Sequence, residues 1–346
     1  GSNLNVDDMF YNVIKTGGQR LNCRTAPTIA NDLSVLDGEW SQTSSNLDLT
    51  VSGNVIIDSA EIEGYAADLT FGSLTISGGG IYDATSELTT ITSDNASDYV
   101  IQNSGTFTHN SGTVLISSST GQKIVSDDYF YNLTVKDDSG GLRWLPSALL
   151  IANDLEVSNG ASLRPENSTN TLTVSGTATV QDTSSYLGPL HDTYIGSHTL
   201  GALTIGTNGT YYAPGSPGTT YINTTMTNNG TFTHHSGTVY FDTGSSFFIA
   251  TATTVEPVFY NLTYSGASST YLYDDITVEN LFLNPRGYIR LNNSKTLTLG
   301  TTGSQGTFDL ANNRFYPMGT YYIYGASELY PAILTGTHAN PVLWRY

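Results

Sequence analysis

The 346 residues carry 30 acidic and 12 basic side chains, a net charge of −18, although only 12% of positions are charged. So few, scattered Lys and Arg argue against nucleic acid as a partner, because neutralising phosphates takes clustered cations. The lone Cys23 excludes an internal disulfide framework and is expected to be a small buried residue, and no stretch reaches the roughly 20 apolar residues of a membrane helix, so no membrane insertion is expected.

In chain order, Gly1-Ser2 reads as a cloning remnant, no signal peptide follows, and the body opens at Phe10-Tyr11-Asn12. That phrase returns at Phe130-Tyr131-Asn132 and again at Phe259-Tyr260-Asn261, at nearly equal spacing. Ile29-Ala30-Asn31-Asp32-Leu33 returns as Ile151-Ala152-Asn153-Asp154-Leu155 and, more loosely, as Ile276-Thr277-Val278-Glu279-Asn280-Leu281. Leu49-Thr50-Val51-Ser52-Gly53 returns as Leu172-Thr173-Val174-Ser175-Gly176 and then as Leu297-Thr298-Leu299-Gly300. Gly105-Thr106-Phe107-Thr108-His109 is echoed by Gly230-Thr231-Phe232-Thr233-His234, and Ser-Gly-Thr-Val follows both after one intervening position. Gly306-Thr307-Phe308 is a degenerate remnant of this phrase in the third copy. The chain is therefore a tandem repeat, with modules over 1–125, 126–255 and an incomplete 256–346.

Inside each module short alternating segments such as Leu172-Thr173-Val174, Ala202-Leu203-Thr204-Ile205 and Gly237-Thr238-Val239-Tyr240-Phe241 predict strands. Gly, Asn, Asp and Ser between them supply turns, as at Ser77-Gly78-Gly79-Gly80 and Ser158-Asn159-Gly160. Runs of Thr and Ser and frequent Gly break every helical period, so almost no helix is expected. Turns longer than a hairpin needs, and the absence of a Pro-rich or charged spacer between modules, point to a right-handed parallel β-helix, a β-solenoid. Tandem β-sandwich domains are the alternative. Turns of about 20 residues, roughly 16 of them spaced by about 4.8 Å, would give a rod of about 75 Å.

Several residues could carry chemistry. His109, His234 and His235 are potential metal ligands, but the first two occupy equivalent repeat positions, which favours a structural role. The pairs Asp7-Asp8, Asp127-Asp128 and Asp274-Asp275 offer oxygen ligands without the alternating order of a calcium loop, so solvated turns are expected. No catalytic, cofactor or metal residue is assigned. Tyr211, Tyr212, Tyr271 and Tyr273 are the candidate glycan contacts, with an aromatic ladder along a sheet as the competing reading. Phe10, Asn12, Phe130, Asn132, Phe259 and Asn261 define the repeat, and the Asn side chains are expected to bond a turn or to stack with a counterpart in a neighbouring rung.

The succession GTFTHNSGTVLISSSTGQKIVSDDYFYNLTV, with its L-x-V-x-N-G and T-L-T-V-S-G phrases, resembles the β-strand repeat of large prokaryotic surface proteins and of phage structural proteins. The resemblance covers nearly the whole chain, twice well and once partially, and carries no active-site motif. It implies an extracellular, cell-surface or virion role as a fibre, spike or adhesin stalk; separately, the abrupt opening and the incomplete third copy read as a segment of a longer repeat protein, with its flanking segments as partners. A host-surface glycan or receptor is the implied partner of a binding module, a polysaccharide-degrading tailspike is the enzyme alternative, and a homotrimer is the assembly common in such fibres.

Overall fold

The computed structural model describes residues 2–5, 9–42, 47–92, 98–117, 121–136, 141–145, 148–242, 248–250, 256–266, 269–272, 275–283, 288–291, 295–300, 306–309, 314–317, 320–323 and 333–335. Among them there are strands and turns and no helix, and every registered strand pair is parallel: the fold is a β-solenoid. The chain divides into two compact units, Gly1–Gly176 and Thr177–Tyr346, a boundary that falls inside the second sequence module.

In the first unit a turn consists of three strand segments. Strand Leu49–Asp58 covers two of them, since Leu49–Val51 pairs with Leu69–Phe71 and Asn54–Asp58 with Ser73–Ser77 across a register break. Ala60–Glu63 is the third, and it lies between Gly38–Ser41 and Ile81–Asp83. Leu21 pairs with Trp40 and Trp40 with Ile62, so that a turn takes up about 20 residues, the length expected from the sequence. Alternation decides which side chains enter the interior. Leu49, Val51, Val55 and Ile57 are fully buried while Thr50, Ile56 and Asp58 between them face outward. Each buried aliphatic contributes about 1.5–3 kcal/mol, which fixes the facing of the strand, because a slip by one residue would turn every one of them to solvent.

The break between Phe71 and Ser73 sits at the corner where Leu49–Asp58 bends. There the Gly53 amide donates to the Asn31 carbonyl at 2.8 Å, and a β-carbon on Gly53 would stand 2.6 Å from that same oxygen. Gly176 repeats both features against Asn153, again at 2.8 and 2.6 Å. This close approach is the physical reason the Leu-Thr-Val-Ser-Gly phrase ends in glycine.

The second unit uses the same construction. Thr210–Tyr212 lies between Tyr186–Leu187 and Thr231–Thr233. His198–Ile205 spans a corner, pairing with Thr219–Ile222 through its first half and with Met226–Asn228 through its second. Val258–Tyr264 lies between Thr238–Phe241 and Ile276–Leu283. Leu200, Leu203, Ile205, Ile222, Met226, Phe241 and Phe259 are fully buried in its interior.

Replacing Gly53 with Ala forces the new methyl against the Asn31 carbonyl and is expected to cost about 2 kcal/mol. Urea unfolding of the variant measures this, and a change within about 0.5 kcal/mol, the ordinary range for a surface position, would show that the corner tolerates a side chain.

Candidate functional site

The repeated phrases meet in space. Phe107, from the Gly-Thr-Phe-Thr-His phrase, packs on Phe130 of the Phe-Tyr-Asn phrase with ring centroids 5.2 Å apart, and Phe232 packs on Phe259 at 5.3 Å. In the first unit this interior stack continues through Tyr82 and Phe71, at 5.5 and 6.0 Å. Outside, His109 packs on Tyr131 at 5.3 Å and His234 on Tyr260 at 5.8 Å. The two phrases are neighbours one turn apart, so their joint recurrence is the recurrence of one packing unit.

The Asn residues form a polar ladder on the same surface. Asn12 Oδ1 accepts from Asn31 Nδ2 at 2.9 Å, Asn132 Oδ1 from Asn153 Nδ2 at 2.8 Å, and Asn261 Oδ1 from Asn280 Nδ2 at 2.7 Å. On the other side Asn132 Nδ2 donates to Thr113 Oγ1 at 3.3 Å and Asn261 Nδ2 to Thr238 Oγ1 at 3.4 Å. An amide both donates and accepts, so it continues a ladder in both directions, which a carboxylate cannot do.

His109 and His234 hold tight turns. The Gly112 amide donates to the His109 carbonyl and Gly237 to that of His234, each at 2.9 Å. The central residues Asn110, Ser111, His235 and Ser236 all have positive φ, between 45° and 62°. Each such residue is strained unless the surroundings hold it. The His ring supplies a hold: Nδ1 of His109 accepts from the Ser111 amide at 3.0 Å, and Nδ1 of His234 from the Ser236 amide at 2.9 Å. That bond places the proton of the neutral ring on Nε2. Among the described residues no three His, Cys, Asp or Glu gather as a metal site would require. Asp128 is a turn fastener, its Oδ2 accepting from the Phe107 amide at 2.7 Å and from Asn103 Nδ2 at 2.9 Å. Asp275 Oδ1 accepts from the Thr296 amide at 2.6 Å. Cys23 is fully buried, and burial pushes its thiol up to about 12.

The candidate glycan tyrosines part ways. Tyr211 points inward and is fully buried, its hydroxyl 2.7 Å from His198 Nδ1 and 3.2 Å from Thr220 Oγ1, so it cannot meet a sugar. Burial holds His198 neutral, with its pKa lowered to about 3. Tyr212 does face outward, but its ring lies 5.5 Å from His235 at 14° between planes, and 6.0 Å from Tyr186 at 36°. Stacked rings cover one another's faces and leave edges to solvent, whereas sugar stacking needs a free face. This is the ladder arrangement. The Tyr271 side chain and the whole of Tyr273 lie outside the described residues.

An ionisable cluster on the first unit was not anticipated from the sequence. Arg20 pairs in register with Glu39, Glu39 with Glu61, and Glu63 with Asp83, so successive turns bring these groups to one outer face. Arg20 Nε is 2.8 Å from Glu39 Oε1, while its Nη2 bonds Glu63 Oε2 and also donates to Tyr65 at 2.8 Å. Burial and the hydrogen bond to Glu63 raise the Glu39 carboxyl to about 7 despite Arg20. Glu63 moves the other way: burial would raise it, but bonds from Glu39 and Tyr65 and the Arg20 charge hold it below the usual range. The protonated Glu39 carboxyl is thus the donor and the Glu63 carboxylate the acceptor of the pair.

Comparison with protein-family models, with characterised proteins and with solved structures finds no match.

The Glu39 carboxyl takes up its proton more readily folded than unfolded, so the stability it contributes at low pH is lost as pH rises from about 4.5 towards about 7. Glu39→Gln removes this titration. Urea midpoints of the wild type should therefore fall relative to those of the variant between about pH 5 and 7 and run parallel above it, and parallel curves throughout would refute the assignment.

Proposed function

We propose that this chain is a structural β-solenoid segment of an extracellular or virion-surface appendage such as a fibre, spike or adhesin stalk. The observation that carries the reading is the turn-on-turn satisfaction of the repeated phrases. Inside, Phe107 packs on Phe130 at a tilt; outside, Asn132 bonds Thr113 before it and Asn153 after it. Each turn supplies its neighbour's contacts, so stability adds turn by turn and length is gained without a larger core. The polar, weakly charged exterior and the resemblance of the repeat to surface and phage proteins supply the setting. A glycan or receptor at one end of the appendage and a homotrimeric assembly belong to the same proposal. Residues 126–255 and 256–346 then serve as further lengths of one stalk.

Small-angle X-ray scattering with molar mass determined on the same sample tests this. The stalk reading predicts an elongated particle of constant cross-section, as a monomer or trimer, and a compact or beaded particle would contradict it.

A further inference from the structure

Among the described residues, the first Phe-Tyr-Asn turn lacks a cover that its two counterparts possess. Asn132–Lys136 lies between Thr113–Ser117 and Leu155–Ser158, and Val258–Tyr264 lies between Thr238–Phe241 and Ile276–Leu283. For the equivalent Val13–Lys15, the registered neighbour among the described residues is on its downstream side, Leu33–Val35. The consequence is exposed apolar surface. Phe130 and Phe259 are fully buried but Phe10 is half-buried, and Tyr11 is 72% and Ile14 67% exposed, whereas Tyr131 and Tyr260 are partly covered by His109 and His234. Lys15 is turned inward, a common guard of an open strand edge. Its ammonium, however, donates to the Gly17 and Asp37 carbonyls at 2.6 Å each, both downstream, and leaves the upstream side of Phe10, Val13 and Ile14 apolar.

The molecule itself shows what fits such a surface, because it covers the same surface twice with the same phrase. In both cases a Phe lies on the Phe-Tyr-Asn Phe, a His ring on the Tyr, a Thr hydroxyl accepts from the Asn side chain, and a Gly carbonyl accepts from the Asn amide. That last bond is 3.3 Å from Asn132 to Gly112 and 3.3 Å from Asn261 to Gly237. We infer that the upstream face of Met9–Lys15 is a docking surface for a repeat turn of the type Gly-Thr-Phe-Thr-His-x-Ser-Gly-Thr-Val, laid on it in parallel register. This rests on the proposed stalk function and names the chemistry of a turn that the face would take, yet its test is local and independent of particle shape.

The test joins a second copy of residues 104–128 to Met9 in place of residues 1–8, so that its Lys123–Val125 stands where Ser2–Leu4 stood against Arg20–Cys23. Amide exchange at Asn12 reports the predicted bond, and it should slow at least about tenfold relative to the parent chain. The same fusion with Phe107→Asp and His109→Ser in the added copy should exchange at the parent's rate. Parent-rate exchange at Asn12 in the unmodified fusion would overturn the inference. If the fusion does not fold, a synthetic peptide of residues 104–117 added to the intact chain should shift the Ile14 and Tyr11 NMR signals while a scrambled peptide does not, and equal effects or none from both would overturn it.

Discussion

A parallel strand satisfies its backbone only with a strand one full turn away, and every other feature of this molecule follows from that constraint. Neighbours in space, such as Leu21 with Trp40 and Trp40 with Ile62, are then separated in sequence by one turn's length of chain. A residue type placed at one turn meets whatever stands at the same register position in the next. Side chains on successive turns must therefore tolerate like neighbours, and the chain has solved this separately inside and outside.

Inside, aliphatic and aromatic side chains pack on their own kind, and buried hydroxyls find partners close by, as Tyr82 does in Thr89 at 2.8 Å and Tyr211 in His198 and Thr220. Outside, the preferred residues can either donate and accept at once, like the Asn ladder, or stack, like Tyr212 on His235. Carboxylates fit this scheme poorly, because a column of them repels itself. Where Glu39 stands beside Glu61 in one column and Glu63 beside Asp83 in another, Arg20 caps the first and bonds Glu63 in the second, and Glu39 holds its proton up to about 7. The low charge content of the chain is thus a property the ladders impose.

Much of the fold was legible because stacking writes its period into the sequence. The recurrence of Phe10, Phe130 and Phe259 with their Asn partners marked equivalent turns, as did the returning Leu-Thr-Val-Ser-Gly phrase, whose Gly the structure places at a crowded corner. The facing of individual tyrosines was not legible: Tyr211 and Tyr212 are adjacent, one must point in and the other out, and only the register of the strand decides which. The Arg20 cluster was hidden for a different reason. Its members come from separate turns and join only once the turn length at that place is known, although a scan for opposite charges at the turn spacing would have paired Arg20 with Glu39.

The claim on which the account rests is that the Gly-Thr-Phe-Thr-His and Phe-Tyr-Asn phrases are stacked neighbours. A double-mutant cycle on Phe107→Leu and Phe130→Leu, read by urea unfolding, measures this directly. Rings 5.2 Å apart predict a coupling energy of about 1 kcal/mol, and strictly additive effects would contradict the stacking of the two phrases.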